Sequence, residues 1–176
     1  MPIIMKLTSI ISIILTILFV VLFNYYGNEA LYTLAITFGT ISYHFIMRLM
    51  VGYILNAILK NNVNYNKKWF KVSETEMKIY KVLKVKKWKD RMPTFDPEVF
   101  DPSKHSWDEI LMAMCQSEVV HETIFVFSFL PIIATIWFDS LMAFLITSII
   151  SGLFDLAFVI MQRFNRARIL RVKSRL

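Results

Sequence analysis

Glu118, His121 and Glu122 stand together at the start of the chain's third apolar stretch, and Gln162-Arg-Phe-Asn-Arg-Ala-Arg168 closes the fourth. An imidazole flanked by carboxylates and opposed by guanidiniums suits general base catalysis on a hydroxyl. The carboxylate orients the ring and favours its charged form, while Arg163, Arg166 and Arg168 hold an anionic donor. The same residues also support a structural reading. Basic residues collect at cytoplasmic helix ends whatever a protein does, and Glu118 paired with Arg163 would lock two helices together. The sequence offers no rival nucleophile motif: there is no Gly-x-Ser-x-Gly, no phosphate loop and no Cys-x-x-Cys. A metal site from His44, His121 and Glu118 would lack the second histidine of a zincin, so none is expected.

Apolar segments must position these groups. Of the 176 residues, 56% are hydrophobic, against roughly 45–50% in an ordinary soluble domain. Residues 7–23, 31–59, 123–138 and 141–161 form four apolar stretches, each close to the about 17–25 residues that carry a helix across about 30 Å of hydrocarbon. The chain therefore reads as one all-α, polytopic membrane domain over residues 1–176, with about four transmembrane helices. The first stretch lacks a small-residue cleavage site and ends in Phe23-Asn-Tyr-Tyr-Gly27, so it reads as a retained helix with an aromatic interface.

Charge sets the orientation. The loop 60–118 carries 12 of the 20 Lys and Arg residues and the tail 162–176 carries 6, whereas the turns at 24–30 and 139–140 carry none. Both termini and the long loop are expected in the cytoplasm of a multi-pass protein of the cell membrane. The net charge of +7 faces anionic head groups, and no nucleic-acid motif accompanies it. A lone cysteine, Cys115, rules out an intramolecular disulfide and reads as a buried thiol.

The cytoplasmic loop is expected to hold interfacial helices. Ser73-Glu-Thr-Glu76 has capping-box spacing, and after it Lys78, Lys81, Lys84 and Lys89 interleave with Met77, Tyr80, Leu83 and Trp88, as in an amphipathic helix. Phe-Asp-Pro at Phe95 and Phe100 predicts extended or turning chain. Ser106-Trp-Asp-Glu109 is a second capping box, opening a helix that runs into the third span with a proline kink at Pro131, near the middle of that span.

A tight turn at Asp139-Ser140 between antiparallel helices places residues at equal depth when their numbers sum to about 279. Glu118 then lies level with Gln162, and His121 with Phe158, one turn from Asp155. A carboxylate in mid-membrane costs roughly 2.5 kcal/mol or more, so Asp155 should point inward to a donor, and His121 is the nearest. On the second span His44 and Arg48 share a face. That face is expected to turn inward, toward Asp155 or a wet cleft, as the far wall of the site.

Three short motifs, Lys87-Trp-Lys-Asp90 with Arg91 and Pro93, Glu118-Val-Val-His121, and Gln162-Arg-Phe-Asn-Arg166 with Arg168, occur in an order that resembles the glycosyl-4,4'-diaponeurosporenoate acyltransferases. The resemblance covers about residues 69–168. It implies transfer of a fatty acyl group to the glucose 6-hydroxyl of a carotenoid glycosyl ester, and it points to Trp88, Lys89, Asp90, Glu118, His121, Gln162, Arg163, Asn165, Arg166 and Arg168 as shared positions. The chain departs from the family's pattern where Asp155-Leu-Ala157 replaces Asn-x-Pro, where Glu122 replaces the tryptophan after the histidine, and where Ala167 replaces a proline. The acceptor expected is therefore a glycosylated carotenoid or a related glycolipid.

The expected donor is an acyl-CoA or similar thioester, its phosphates on Arg163, Arg166 and Arg168 with Lys87 and Lys89 nearby. Catalysis falls to His121 with Glu118 or Asp155, and no cofactor is needed. The partners are membrane lipid, the lipid acceptor and the acyl donor. The competing expectation is a non-enzymatic membrane protein that binds lipid or a partner through its basic loop and tail.

Overall fold

The computed structural model describes residues 2–174, and every regular element among them is helical. The α-helices are α1 (Pro2–Tyr26), α2 (Glu29–Leu59), α3 (Glu74–Val82), α4 (Val85–Trp88), α5 (Trp107–Phe127) and α6 (Leu141–Lys173), with short 3₁₀ turns at Lys68–Phe70, Lys89–Arg91, Glu98–Phe100 and Leu130–Ile136. Four stretches, Ile3–Tyr26, Glu29–Leu59, Trp107–Ile136 and Leu141–Lys173, are long and apolar enough to cross a membrane. The chain forms two compact units, Met1–Gly52 with Thr123–Phe154, and Tyr53–Glu122 with Asp155–Leu176.

The first unit is apolar outside and polar within. Ile10, Ile14, Ile17, Val21, Ile146 and Ile150 are exposed, whereas Ser9, Ser12, His44, Ser128, Ser148 and Ser151 are buried. This is the arrangement that lipid selects, because hydroxyls there must bond inside the protein. Ser9, Thr16, Thr40 and Ser42 do so by donating to the carbonyl four residues earlier. The His44–Arg48 face turns inward within this unit: His44 is buried, and Arg48 Nη2 donates to Ser151 O at 3.1 Å and to Ser151 Oγ at 2.8 Å. Ser151 Oγ in turn bonds Ser128 Oγ at 2.9 Å. Helix α1 ends at Gly27, whose φ of +64° takes the left-handed conformation that a side chain would strain.

Pro131 does not kink a continuous α-helix as the sequence predicts. Helix α5 stops at Phe127, and Pro131 stands at the start of the 3₁₀ turn Leu130–Ile136. Proline has no N–H for the carbonyl four residues earlier, and its ring clashes with that carbonyl. The carbonyl in question belongs to Phe127, and the Tyr43 hydroxyl donates to it at 2.9 Å. Tyr43→Phe is expected to leave Phe127 O without this donor and to cost about 1 kcal/mol, in line with hydrogen bonds between membrane helices. Unfolding of the purified protein in detergent, followed by circular dichroism, would measure it.

In the second unit α2 ends at Leu59 with Lys60 and Asn61 both at positive φ. Gln116 holds that end, its Oε1 accepting from Asn61 N at 2.6 Å and its Nε2 donating to Asn56 Oδ1 at 2.9 Å. Cys115 is a buried thiol packed with Val63 and Phe70. The expected amphipathic helix breaks in two. Lys84 is left-handed, so Leu83 caps α3 and lies exposed, while Met77, Tyr80 and Val85 form a core with Phe164. The second capping box closes reciprocally: Ser106 N donates to Glu109 Oε2 at 2.7 Å and Glu109 N to Ser106 Oγ at 3.3 Å.

Candidate active site

Helices α5 and α6 run antiparallel through the second unit in the register expected from a reversal at Asp139-Ser140. Ser117 Oγ accepts from Gln162 Nε2 at 3.1 Å, and the His121 ring stacks on Phe158 with centroids 4.4 Å apart and planes 5° from parallel. Both pairs sum to 279, as does the Ser128–Ser151 pair of the first unit.

His121 Nδ1 lies 2.9 Å from Asp155 Oδ1. A carboxylate at this distance accepts from Nδ1–H, and in a neutral ring held in that tautomer the lone pair lies on Nε2. Asp155 is 1% exposed and the His121 side chain 21%. The carboxylate is thus sheltered, while the imidazole edge remains reachable. Phe158, buried behind the ring, fixes its plane. These groups can take a proton from a hydroxyl and stabilise the imidazolium that results.

Among the described residues no hydrogen bond joins Glu118 to His121. Glu118 is fully buried and shared by two arginines: Arg163 Nη1 donates to its Oε1 at 2.5 Å, and Arg166 Nη1 pairs with its Oε2. Arg163 also grips Glu76 in a two-pronged ion pair, with Nε at 2.5 Å and Nη2 at 3.1 Å. Both guanidiniums reach back to the turn around Lys68–Phe70. Arg163 donates to Trp69 O and Lys71 O, and Arg166 donates to Phe70 O at 2.7 Å with its Cζ 5.1 Å from the centroid of the Phe70 ring. Two arginines and two glutamates therefore neutralise one another and clamp a loop segment to the helices.

The Ser73–Glu76 capping box is consequently half closed. Ser73 Oγ accepts from Glu76 N at 3.1 Å, but the Glu76 carboxylate is drawn away to Arg163 and Tyr80. Burial pushes the Glu76 carboxyl up, and hydrogen bonds from Arg163 and Tyr80 more than offset this, leaving its pKa below the ordinary glutamate value. The Tyr80 phenol is raised by burial and by Glu76. A depressed folded-state pKa stabilises the fold above the unfolded value near 4.5, and that contribution is lost as pH falls through the lowered value. Acidification below about pH 4.5 should therefore lower the unfolding midpoint of the wild type more than that of Glu76→Gln.

The expected phosphate cluster is thus divided. Arg166 is fully buried and committed to Glu118 and Phe70 O, so it presents no donors outward; Arg163 is 14% exposed and similarly engaged. Arg168 is exposed and Asn165 half-buried, and both line a separate cavity of about 630 Å³ that also receives Lys89. Lys89 pairs with Asp90, and Trp88 Nε1 donates to Leu83 O at 3.0 Å. Gln162 is buried on Ser117. His44 and Arg48 belong to the first unit. Phe158 and Glu76 are additions that the motifs missed, although equal-depth counting had placed Phe158 level with His121. Glu122 accepts from Trp69 Nε1 at 3.1 Å.

Among the described residues every regular element is helical, four helices have membrane length, and a carboxylate-bound histidine stands where α5 meets α6. The chain belongs to the glycosyl-4,4'-diaponeurosporenoate acyltransferase family, whose model matches residues 66–175. The match contains α3 to α6, and with them the His121–Asp155 pair, the arginine clamp and the cavity. The family points to acyl transfer onto a carotenoid glycoside. No curated protein and no solved structure matches the chain.

Proposed function

We propose that this chain is an integral membrane acyltransferase that moves a fatty acyl group from a thioester to a hydroxyl of a glycosylated carotenoid or related glycolipid. The His121 Nδ1–Asp155 contact of 2.9 Å, inside the region that the family model matches, carries the reading. His121 Nε2 takes the proton of a sugar hydroxyl as its oxygen attacks the thioester carbon. The tetrahedral intermediate collapses with loss of the thiolate, and the imidazolium returns the proton to sulfur, so that an ester and a free thiol leave. Asp155 holds the ring and balances its charge through the cycle. The basic loop and tail support an orientation with both termini, and the site beside them, on the cytoplasmic side.

Purified protein in detergent, given an acyl-CoA and a glucosylated carotenoid acid, should release free thiol and form the acylated glycoside in equal amounts. Membrane lipids from cells with and without the gene should differ by the same product. The absence of both results with folded protein would leave the second reading, a non-enzymatic protein binding lipid or a partner. That reading is favoured by one observation, the mutual neutralisation of Arg163, Arg166, Glu76 and Glu118 into a fold-holding clamp.

A further inference from the structure

The cavity of about 630 Å³ in the second unit combines cations with aromatic and aliphatic walls. Four basic residues border it, and they are not equivalent. Lys89 is paired with Asp90, and Lys173 with Asp108. Arg168 and Arg171 are exposed, and among the described residues no carboxylate pairs with either; Arg168 lies only against the Phe164 ring, at 5.8 Å. Two guanidiniums are therefore available at one rim, and guanidinium is the group that matches phosphate oxygens best. Trp107 and Phe100 line the same cavity, and Trp107 is 44% exposed, so aromatic faces are available beside the cations.

Wall residues of the cavity also share helix faces with the histidine and with the ring it stacks on. On α5, Trp107, Met114 and His121 recur at intervals of seven residues, two helical turns, and so share a face; Trp107 and Met114 are in the cavity wall. On α6, Phe158, Asn165 and Val172 repeat the pattern, with Asn165 and Val172 in the wall. At 1.5 Å rise per residue, Met114 lies about 10 Å from the level of His121, and Arg168 and Arg171 lie about 15–20 Å from that of Phe158. A ligand anchored by its phosphates and reacting at His121 must span that interval. A phospholipid ester, only a few bonds from its phosphate, is too short. A thioester on a pantetheine arm has the length, and its nucleotide supplies both phosphates and a purine for the aromatic wall.

We propose that this cavity holds the nucleotide head of a coenzyme A thioester, with phosphates on Arg168 and Arg171, the purine against Trp107 and Phe100, and the arm running along α5 and α6 beside the Ser117–Gln162 bond toward His121. This rests on the acyl-transfer reading above, and it moves the donor site away from Arg163 and Arg166.

Binding of unacylated coenzyme A to the full chain in detergent, measured by calorimetry, tests it without catalysis. Wild type should bind coenzyme A at least about tenfold more tightly than pantetheine. Arg168→Ala with Arg171→Ala should weaken coenzyme A by at least about tenfold, and Trp107→Ala by a factor of about 5 or more, as expected for loss of one stacked base. His121→Gln should keep coenzyme A affinity and lose acyl transfer. Unchanged affinity in the double arginine variant overturns the cavity assignment. So does competition in which phosphatidylglycerol fills the site and coenzyme A does not, or acyl transfer from another donor without coenzyme A binding; each of these leaves the acyltransferase reading standing. Coenzyme A binding through both arginines with no acyl transfer by wild type would keep the cavity and remove the reading on which its role depends.

Discussion

Replacing His121 by glutamine or alanine is expected to lower acyl-transfer turnover by about 10²–10⁴-fold, the range that positioned proton transfer contributes. Neither change should prevent folding, because the ring is partly exposed and takes no part in the arginine clamp. Asp155→Asn gives the sharper test. It keeps the shape of a side chain that is 1% exposed, but an amide can donate to Nδ1 and turn the lone pair inward, presenting the wrong tautomer to the hydroxyl. Its turnover should fall by a comparable factor while the affinity for acceptor changes little, since the defect appears only as the proton moves. Turnover assays on the three variants, each matched to wild type by its unfolding midpoint, decide the matter. Wild-type rates in all three would exclude His121 as the base and leave the lipid- or partner-binding protein as the better account.

The depth relation was legible in the sequence because few variables control it. The reversal centred on Asp139-Ser140 keeps the paired numbers summing to 279 even though Leu130–Ile136 is 3₁₀ and not α, so His121 meets Phe158 and Asp155, and Ser117 meets Gln162, at the expected levels. The arginines were harder to read because their partners are remote. Glu76 and the carbonyls of Trp69, Phe70 and Lys71 lie about ninety residues from Arg163 and Arg166, in a loop whose path no periodicity fixes. Helical geometry nonetheless held a clue. At roughly 100° per residue, Arg166 and Arg168 point to nearly opposite sides of α6, whereas Arg163 and Arg166 are close together. The run therefore could not present all three guanidiniums to one ligand. The break at Lys84 had no such signal, since a non-glycine residue at positive φ is set by how α3 and α4 pack, and the alternation of lysines with apolar residues continues across it.

Arg166→Ala should damage the fold before it damages catalysis. The side chain and its partner Glu118 are both fully buried, so truncation strands a carboxylate that keeps Arg163 alone for its charge, and releases Phe70 O from its donor. Breaking a buried pair in this way costs about 3–5 kcal/mol, a large part of the 5–15 kcal/mol that holds a typical domain together. Arg166→Lys should recover little, because an ammonium cannot serve Glu118 and the Phe70 carbonyl from one planar fork. Arg163→Ala should cost less: its second carboxylate, Glu76, is 23% exposed and can be hydrated once released. Removing both charges of the buried pair, as in Glu118→Gln with Arg166→Met, should restore part of the loss, since no buried ion is then left unpaired. Denaturant unfolding in detergent would rank the variants, and a donor titration on the folded fraction would separate the two roles proposed for α6. A stable Arg166→Ala protein with only a raised KM for the thioester would return Arg166 to phosphate binding. An unstable one whose folded fraction keeps the wild-type KM identifies a clamp, which holds the Lys68–Phe70 turn beside α5 and leaves the donor to Arg168 and Arg171.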